Sequence, residues 1–186
     1  MRVITRAADA GRSRFRLPRP GGRGRADARD LATLLAPTLD DTYTLFLEPL
    51  LPGVDVHLTA LLVGPGGVRA MLVRRWHGHF RHRGRAWEYD ARGQRGWIPC
   101  RTDPTREAHR ARDQVGRWMT LNLGTRLPVE AAVAFPDRRA RVELEEPVTE
   151  VVTTSNAPWW AHRLGRVRRL DDRRAGRLIE AVLGAV

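Results

Sequence analysis

Apolar and polar positions alternate along this chain with periods that predict most of its elements. In RADARDLATLLAP, beginning at Arg25, the residues Leu31, Leu34 and Leu35 recur at helical spacing, and Pro37 ends the pattern, predicting a first helix. Tyr43 to Leu50 (YTLFLEPL) is rich in strand formers, with Pro49 placed at the strand end or on an edge. Next, VDVHLTALLV (54–63) and VRAMLVRRW (68–76) flank Gly64-Pro65-Gly66-Gly67. Glycines there permit the positive φ angles of a tight reversal, so the two runs are predicted to pair as an antiparallel hairpin. A further turn at Arg83-Gly84-Arg85 followed by AWEYD extends the meander through Arg81–Asp90, and Trp97 and Ile98 add a short strand.

Asp103-Pro104 is a helix start, because aspartate caps free amides while proline occupies a first-turn position that needs no amide. Ala108, Ala111, Val115, Trp118 and Met119 then share one face, which predicts a second helix over about 104–122. VEAAVAF (129–135) is a buried-type strand, with ARVEL (140–144) and Thr149–Thr153 as further strands. A final helix capped by Asp171 or Asp172 carries Ala175, Leu178, Ile179, Val182 and Leu183 as one stripe. The order helix, antiparallel strands, helix, strand predicts an α/β arrangement around a mixed sheet. Residues 1–24 hold many arginines, Pro18, Pro20 and Gly21-Gly22 but little to bury, and are expected to form a flexible basic arm. Residues 25–186 are expected to form a single domain, since a chain of 186 residues buries roughly 70% of its unfolded surface in one core.

Charge narrows the partners. Apolar residues make up 42% and charged residues 29%, a globular balance. The formal net charge is +12, and all 33 basic residues are arginine. A GC-rich genome replaces lysine codons wherever only positive charge is needed, so the count of arginines does not by itself mark a site. Its chemical consequence holds regardless of cause: with no lysine, catalysis by a lysine base or nucleophile is excluded. Guanidinium forks match phosphate geometry, so nucleic acid, with DNA first, is the expected partner. An acidic protein or an acidic membrane surface would feel the same field. The lone Cys100 excludes an intramolecular disulfide. No signal-peptide-like run and no membrane-length apolar window occurs, so a cytoplasmic protein without membrane contact is expected.

The string LLVGPGGV (61–68), the Trp76-His77-Gly78 step after the second hairpin strand and the Asp103-Pro104 helix opening occur in the element order just described. Together they resemble the nuclease-related domain (NERD) family of the restriction-endonuclease-like superfamily, over roughly residues 25–135. The resemblance implies a restriction-endonuclease-like mixed sheet core with extra C-terminal strands and helix. It also implies an aspartate at the position of Thr59, a glutamate-x-lysine at Leu72 and Arg74, and a helix-one glutamate near Ala28, flanked here by Asp27 and Asp30. In such a site two carboxylates hold a divalent ion that activates water, while the lysine orients the nucleophile. Thr59 offers one neutral oxygen, Leu72 none, and Arg74 a permanent cation that repels a hard metal ion. The expectation is a pseudo-nuclease without a metal or other cofactor.

Three functional classes remain. As a nucleic-acid-binding protein acting in DNA metabolism or repair without cleavage, the chain would use Arg74, Arg75, Trp76, Arg81, Arg83 and Arg85, with Arg106 and Arg110 on the second helix. As a divergent nuclease using magnesium or manganese, it would rely on relocated carboxylates: Asp55, alternating with His57 and Thr59 along one strand face, with Glu88, Asp90 or Asp30. As a scaffold subunit it would meet a protein partner or further copies of itself. His77, His79 and His82 look metal-like but lack an evident fourth ligand, so no metal site is assigned. Trp87, Trp97 and Trp118 are expected in the core; the adjacent Trp159 and Trp160 are expected to be buried under the final helix, with exposure of one of them, as a base-stacking spot or partner surface, as the alternative; and Glu143, Glu145, Glu146 and Glu150 read as a solvated rim.

Overall fold

The computed structural model describes residues 1–5, 23–91, 96–124 and 126–185. A six-stranded sheet forms the centre. Strands β2 (Thr44–Leu47), β3 (Ala60–Gly64) and β4 (Gly67–Val73) build an antiparallel meander, and β8 (Val129–Phe135) and β10 (Glu150–Thr153) continue it in parallel with β4. The strand β1 (Arg2–Thr5) pairs in parallel with β2 on the other edge, so β3 runs against all its sheet neighbours. The β3–β4 turn closes with Gly64 opposite Gly67. Gly67 has φ 106°, and a Cβ on Gly64 would lie 2.2 Å from the Tyr43 ring, so both glycines are required by geometry.

Helices cover both faces. The helix α1 (Arg23–Leu35) buries Ala28, Leu31 and Leu35 against Leu45, Ala60, Leu62, Met71 and Val73, where α3 (Ala157–Gly165) adds Trp160 and Leu164. On the opposite face α2 (Pro104–Leu123) and α4 (Asp172–Ala185) place Val115, Trp118, Met119, Leu178 and Val182 against Phe46, Leu61, Val63 and Ala70. Asp103 caps α2 by accepting from the Arg106 amide at 2.9 Å, and Gly124 ends it in the left-handed region at φ 62°.

A second sheet, ordered β7-β6-β5-β9, comprises β5 (Gly78–Arg83), β6 (Ala86–Asp90), β7 (Trp97–Pro99) and β9 (Ala140–Glu145). It joins the first through a third core cluster of Leu72, Trp87, Ala108, Phe135, Ala140 and Val151. Trp76 packs within this junction, 4.9 Å from Phe80 and 5.7 Å from both Trp87 and Phe135.

Three expectations are corrected, and one helix was not anticipated. Residues 54–59 are not strand: the chain enters β3 only at Ala60, and the Asp55 and Val56 amides donate to Gln114 Oε1 on α2 at 2.7 and 3.2 Å. Asp55, His57 and Thr59 therefore do not form one strand face. Arg81–Asp90 leaves the meander for the second sheet, because a parallel partner, β9, competes for β5. Arg2–Thr5 is a sheet strand rather than part of a free arm, while residues 6–22 of the expected arm lie outside the described residues. Residues 157–165, which carry no apolar period long enough to announce themselves, form α3. The final helix occupies Asp172–Ala185 as expected.

Leu61 is fully buried beneath α2 and Leu121 is 84% exposed on the same helix. Urea unfolding should show Leu61→Ala losing about 2–5 kcal/mol, and Leu121→Ala staying within about 0.5 kcal/mol of the unaltered protein.

Candidate nucleic-acid interface

Thr59 sits one residue before β3, and its Oγ1 accepts from the Val73 amide at 3.2 Å, which brings it beside the carboxyl end of β4. Thr59 and Leu72 are buried, at 0% and 1% exposure. Arg74 follows on the same face, its Nη2 bonded to Glu107 of α2 and its Nη1 donating to the Val73 carbonyl at 3.2 Å. Hydroxyl, hydrocarbon and a guanidinium already neutralised by Glu107 thus meet at the positions where the resemblance implies two carboxylates and a lysine. The nearest histidine, His57, has Nε2 3.4 Å from Thr59 Oγ1.

The relocated carboxylates are not gathered here. Asp30 binds Arg75 Nη2 at 2.7 Å, and Asp27 binds Arg75 Nε. Since α1 covers the face opposite α2, both aspartates are separated from Thr59 and Leu72 by the sheet itself. Glu88 lies on the second sheet and receives Arg81 Nε and Nη2 at 2.9 and 2.6 Å. Asp55 stands in the loop against α2.

The arginines divide into two groups. Arg74, Arg75 and Arg81 are held within the molecule, the last also 4.7 Å over the Trp97 ring and 3.7 Å from Glu145. Trp76 is committed to the junction between sheets. By contrast Arg83 and Arg85, at the β5–β6 turn, and Arg106 and Arg110, one helical turn apart on α2, are all exposed. Their side chains make no hydrogen bond or ion pair among the described residues. The two segments touch through one buried network: Trp87 Nε1 donates to Thr105 Oγ1 at 2.8 Å, and the Thr105 hydroxyl is hydrogen-bonded to His82 Nε2 at 3.0 Å. His82 Nδ1 is buried without a hydrogen-bond partner among the described residues. The ring stacks on Trp87 at 4.2 Å, and burial pushes its pKa down to about 4, with Asp103 opposing and His109 assisting. Burial likewise lowers His109, with Arg112 and Arg85 adding to the shift.

The other histidines do not converge. His79 faces Glu143 through Nε2 at 2.8 Å and Asp90 through Nδ1 at 3.8 Å, while His82 points to the opposite side of β5. Among the described residues no group of three or more histidine, cysteine or acidic side chains is arranged to hold a metal ion. Cys100 is half-buried, and burial together with Glu88 pushes its thiol up to about 11.

Sequence reading missed one buried polar centre and misplaced its acidic member. Arg69, 4% exposed on β4, donates to Gly66 O and meets Glu150 at 3.3 Å. Glu150, expected on a solvated rim, is instead a partly buried acceptor that also receives Trp160 Nε1 at 3.0 Å and Arg163 Nη2 at 3.3 Å. The available signal was a lone arginine inside the apolar run VRAMLV, since a guanidinium buried in a strand requires an anionic or carbonyl partner. Of the adjacent tryptophans, Trp159 is 63% exposed rather than buried under the final helix, and Trp160, buried at 1%, packs in the cluster of α1 and α3, because both lie on α3 and not beneath α4.

Comparison with protein-family models, with curated proteins and with solved structures yields no match for this chain. Among the described residues no helix is long and apolar enough to cross a membrane.

Because the His82 imidazole titrates near 6.5 when unfolded and near 4 when folded, protonation favours unfolding. Its contribution to stability is complete above about pH 6.5 and declines by on the order of 3 kcal/mol as pH falls towards 4. Urea midpoints measured at neutral pH and at about pH 5 should differ less for His82→Phe than for the unaltered protein. At about pH 8 the folded protein should react with aromatic disulfide reagents far more slowly than the urea-unfolded chain, because Cys100 stays a thiol.

Proposed function

We propose that this chain is a nucleic-acid-binding protein built on a degenerate restriction-endonuclease-like core of the nuclease-related kind, and that it grips DNA without cutting it. Support for the scaffold comes from its order: α1, the antiparallel meander β2-β3-β4, α2 on the opposite face, then β8 parallel to β4. That is the order the resemblance implies, with β10, α3 and α4 as the C-terminal addition. Support for binding without cleavage comes from the end of β4, where Thr59, Leu72 and the Arg74–Glu107 pair leave no carboxylate free for a metal.

The observation that carries the reading is the separation of the arginines into spent and available ones. Arg74, Arg75 and Arg81 maintain the fold, whereas Arg83, Arg85, Arg106 and Arg110 stand exposed on two segments locked together by the Thr105 network. Four exposed guanidinium groups on two segments tied together offer several phosphate contacts at once. The relocated-carboxylate nuclease finds less support, because Asp55, Glu88 and Asp30 occupy three separate places and two of them are already paired with arginine.

Fluorescence anisotropy with labelled duplex DNA is expected to show affinity that falls steeply as salt rises. Replacing Arg83, Arg85, Arg106 and Arg110 with alanine should weaken binding by more than about tenfold and lower the log–log salt slope by about one for each phosphate no longer neutralised. No detectable binding by the unaltered protein at low salt, or binding indifferent to salt, overturns the proposal. So does plasmid cleavage in magnesium or manganese that disappears in Asp55→Asn.

A further inference from the structure

The carboxylate of Glu150 stands at the amino end of β10, and three donors converge on it from Arg69, Trp160 and Arg163. Arg69 is the buried anchor, its side chain 5% exposed and its Nη1 also bonded to Gly66 O. Arg163 is thereby tethered, and its guanidinium carbon lies 5.1 Å over the ring of Trp159. A large indole, 63% exposed, is thus backed on one face by a cation that a buried network holds in place. Orientation of this kind is costly in side-chain entropy and gives a pre-set stacking platform.

Trp159 lines a cleft of about 550 Å³ between α3, the starts of β8 and β10, and α2. Leu144, Val148 and Val167 also line it, each between 41% and 48% exposed, and so do Arg112 and Arg169. Arg112 spends Nε and Nη2 on the adjacent Asp113, and Arg169 spends Nη1 on Glu130, which leaves donors on both guanidinium groups. The cleft lies at the amino end of β4, roughly 16 Å along the strand from Arg74 at the other end. It adjoins the arginine-bearing turn directly, because the Val148 amide donates to the Gly84 carbonyl at 3.2 Å, between Arg83 and Arg85.

The cleft combines an exposed ring, an apolar wall and guanidinium donors. A ligand complementary to it has a flat π face and a phosphate, and the volume falls within the usual range for a small-molecule site. We propose that this cleft binds one nucleotide, its base stacked on Trp159 and its phosphate held by Arg112 and Arg169. The nucleotide is supplied either free or as an unpaired residue of a strand lying along Arg83 and Arg85, and the second source rests on the function proposed above. An acidic peptide with aliphatic side chains would use the same wall, but it would leave the open face of a cation-backed indole without a stacking partner.

The test is calorimetric titration at low salt with adenosine 5′-monophosphate, adenosine, inorganic phosphate and a short single-stranded oligodeoxyadenylate. The proteins are the unaltered chain, Trp159→Ala, Trp159→Phe and Arg112→Ala/Arg169→Ala, with thermal unfolding confirming that each remains folded. Trp159→Ala is expected to weaken the nucleotide or the strand by more than about tenfold, and Trp159→Phe by no more than a few-fold. The double arginine variant should lose discrimination between the monophosphate and adenosine. Trp159-dependent binding of the mononucleotide identifies the free source, and binding of the strand alone identifies the second.

Two results overturn the assignment. One is equal binding, or none, of both nucleotide probes by the unaltered protein and Trp159→Ala. The other is a Trp159-dependent signal from a glutamate- and leucine-containing peptide while both nucleotide probes stay silent. Salt-dependent duplex binding that persists unchanged in Trp159→Ala, with silent nucleotide probes, removes the cleft and keeps the proposed function. Trp159-dependent mononucleotide binding without any duplex or strand binding does the reverse.

Discussion

Strand β4 is buried on both faces along its whole length, and the two-residue alternation of an extended chain therefore decides what each of its residues can meet. Met71 and Val73 enter the core beneath α1 and α3, while Ala70 and Leu72 enter the cores on the α2 side. The same alternation continues into the polar residues at the strand end. Arg74 reaches Glu107 of α2, and its neighbour Arg75 reaches Asp27 and Asp30 of α1. Two consecutive guanidinium groups thus clamp helices on opposite sides of one sheet, each through carboxylates of the helix it meets. At the other end of the strand Arg69 obeys the same rule from a fully covered position, and it can do so only because Glu150 and the Gly66 carbonyl compensate its charge.

This division gives the net charge of +12 a physical meaning that a count cannot. Arg69, Arg74, Arg75 and Arg81 act as internal cross-links, and their carboxylate partners are correspondingly spent. Of the arginines that the sequence singled out, those left exposed for an anionic partner are Arg83 and Arg85 at the β5–β6 turn and Arg106 and Arg110 on α2; the turn adjoins a cleft with one exposed indole. The second sheet matters because it presents that turn. Trp76, Trp87 and Phe135 wedge it against the first sheet, and the Thr105 hydroxyl, shared between Trp87 and His82, ties it to the start of α2. Keeping His82 neutral in that wedge makes acidification a direct threat to the surface proposed to bind nucleic acid.

Much of the secondary structure was legible because its signals are local. Pro37, the Asp103-Pro104 cap, the Gly64–Gly67 turn and the apolar stripe of α2 each act within a few residues, and the corresponding elements occur where those signals place them. Signals failed where an element owes its state to a distant partner. Residues 54–59 look like a strand in sequence, yet Gln114 takes their amides. Arg2–Thr5 looks like the start of an arm, yet β2 offers it an open edge. Glu150 looks like one of four rim carboxylates, and only the approach of Arg69 from β4 distinguishes it.

By itself the sequence determined that this is an α/β chain without lysine, strongly cationic, with a β3–β4 hairpin beside which stand Thr59, Leu72 and Arg74. Those properties depend on residue identity and short-range spacing. Only the tertiary structure decided which arginines are paired and which stand exposed, that Trp76 is packing while Trp159 is exposed, and that Asp30 and Glu88 each pair with a different arginine while Asp55 stands in the loop against α2. Pairing of charges and exposure of rings are set by which faces and ends of the sheets come together, and residues tens of positions apart settle that only once the chain has packed.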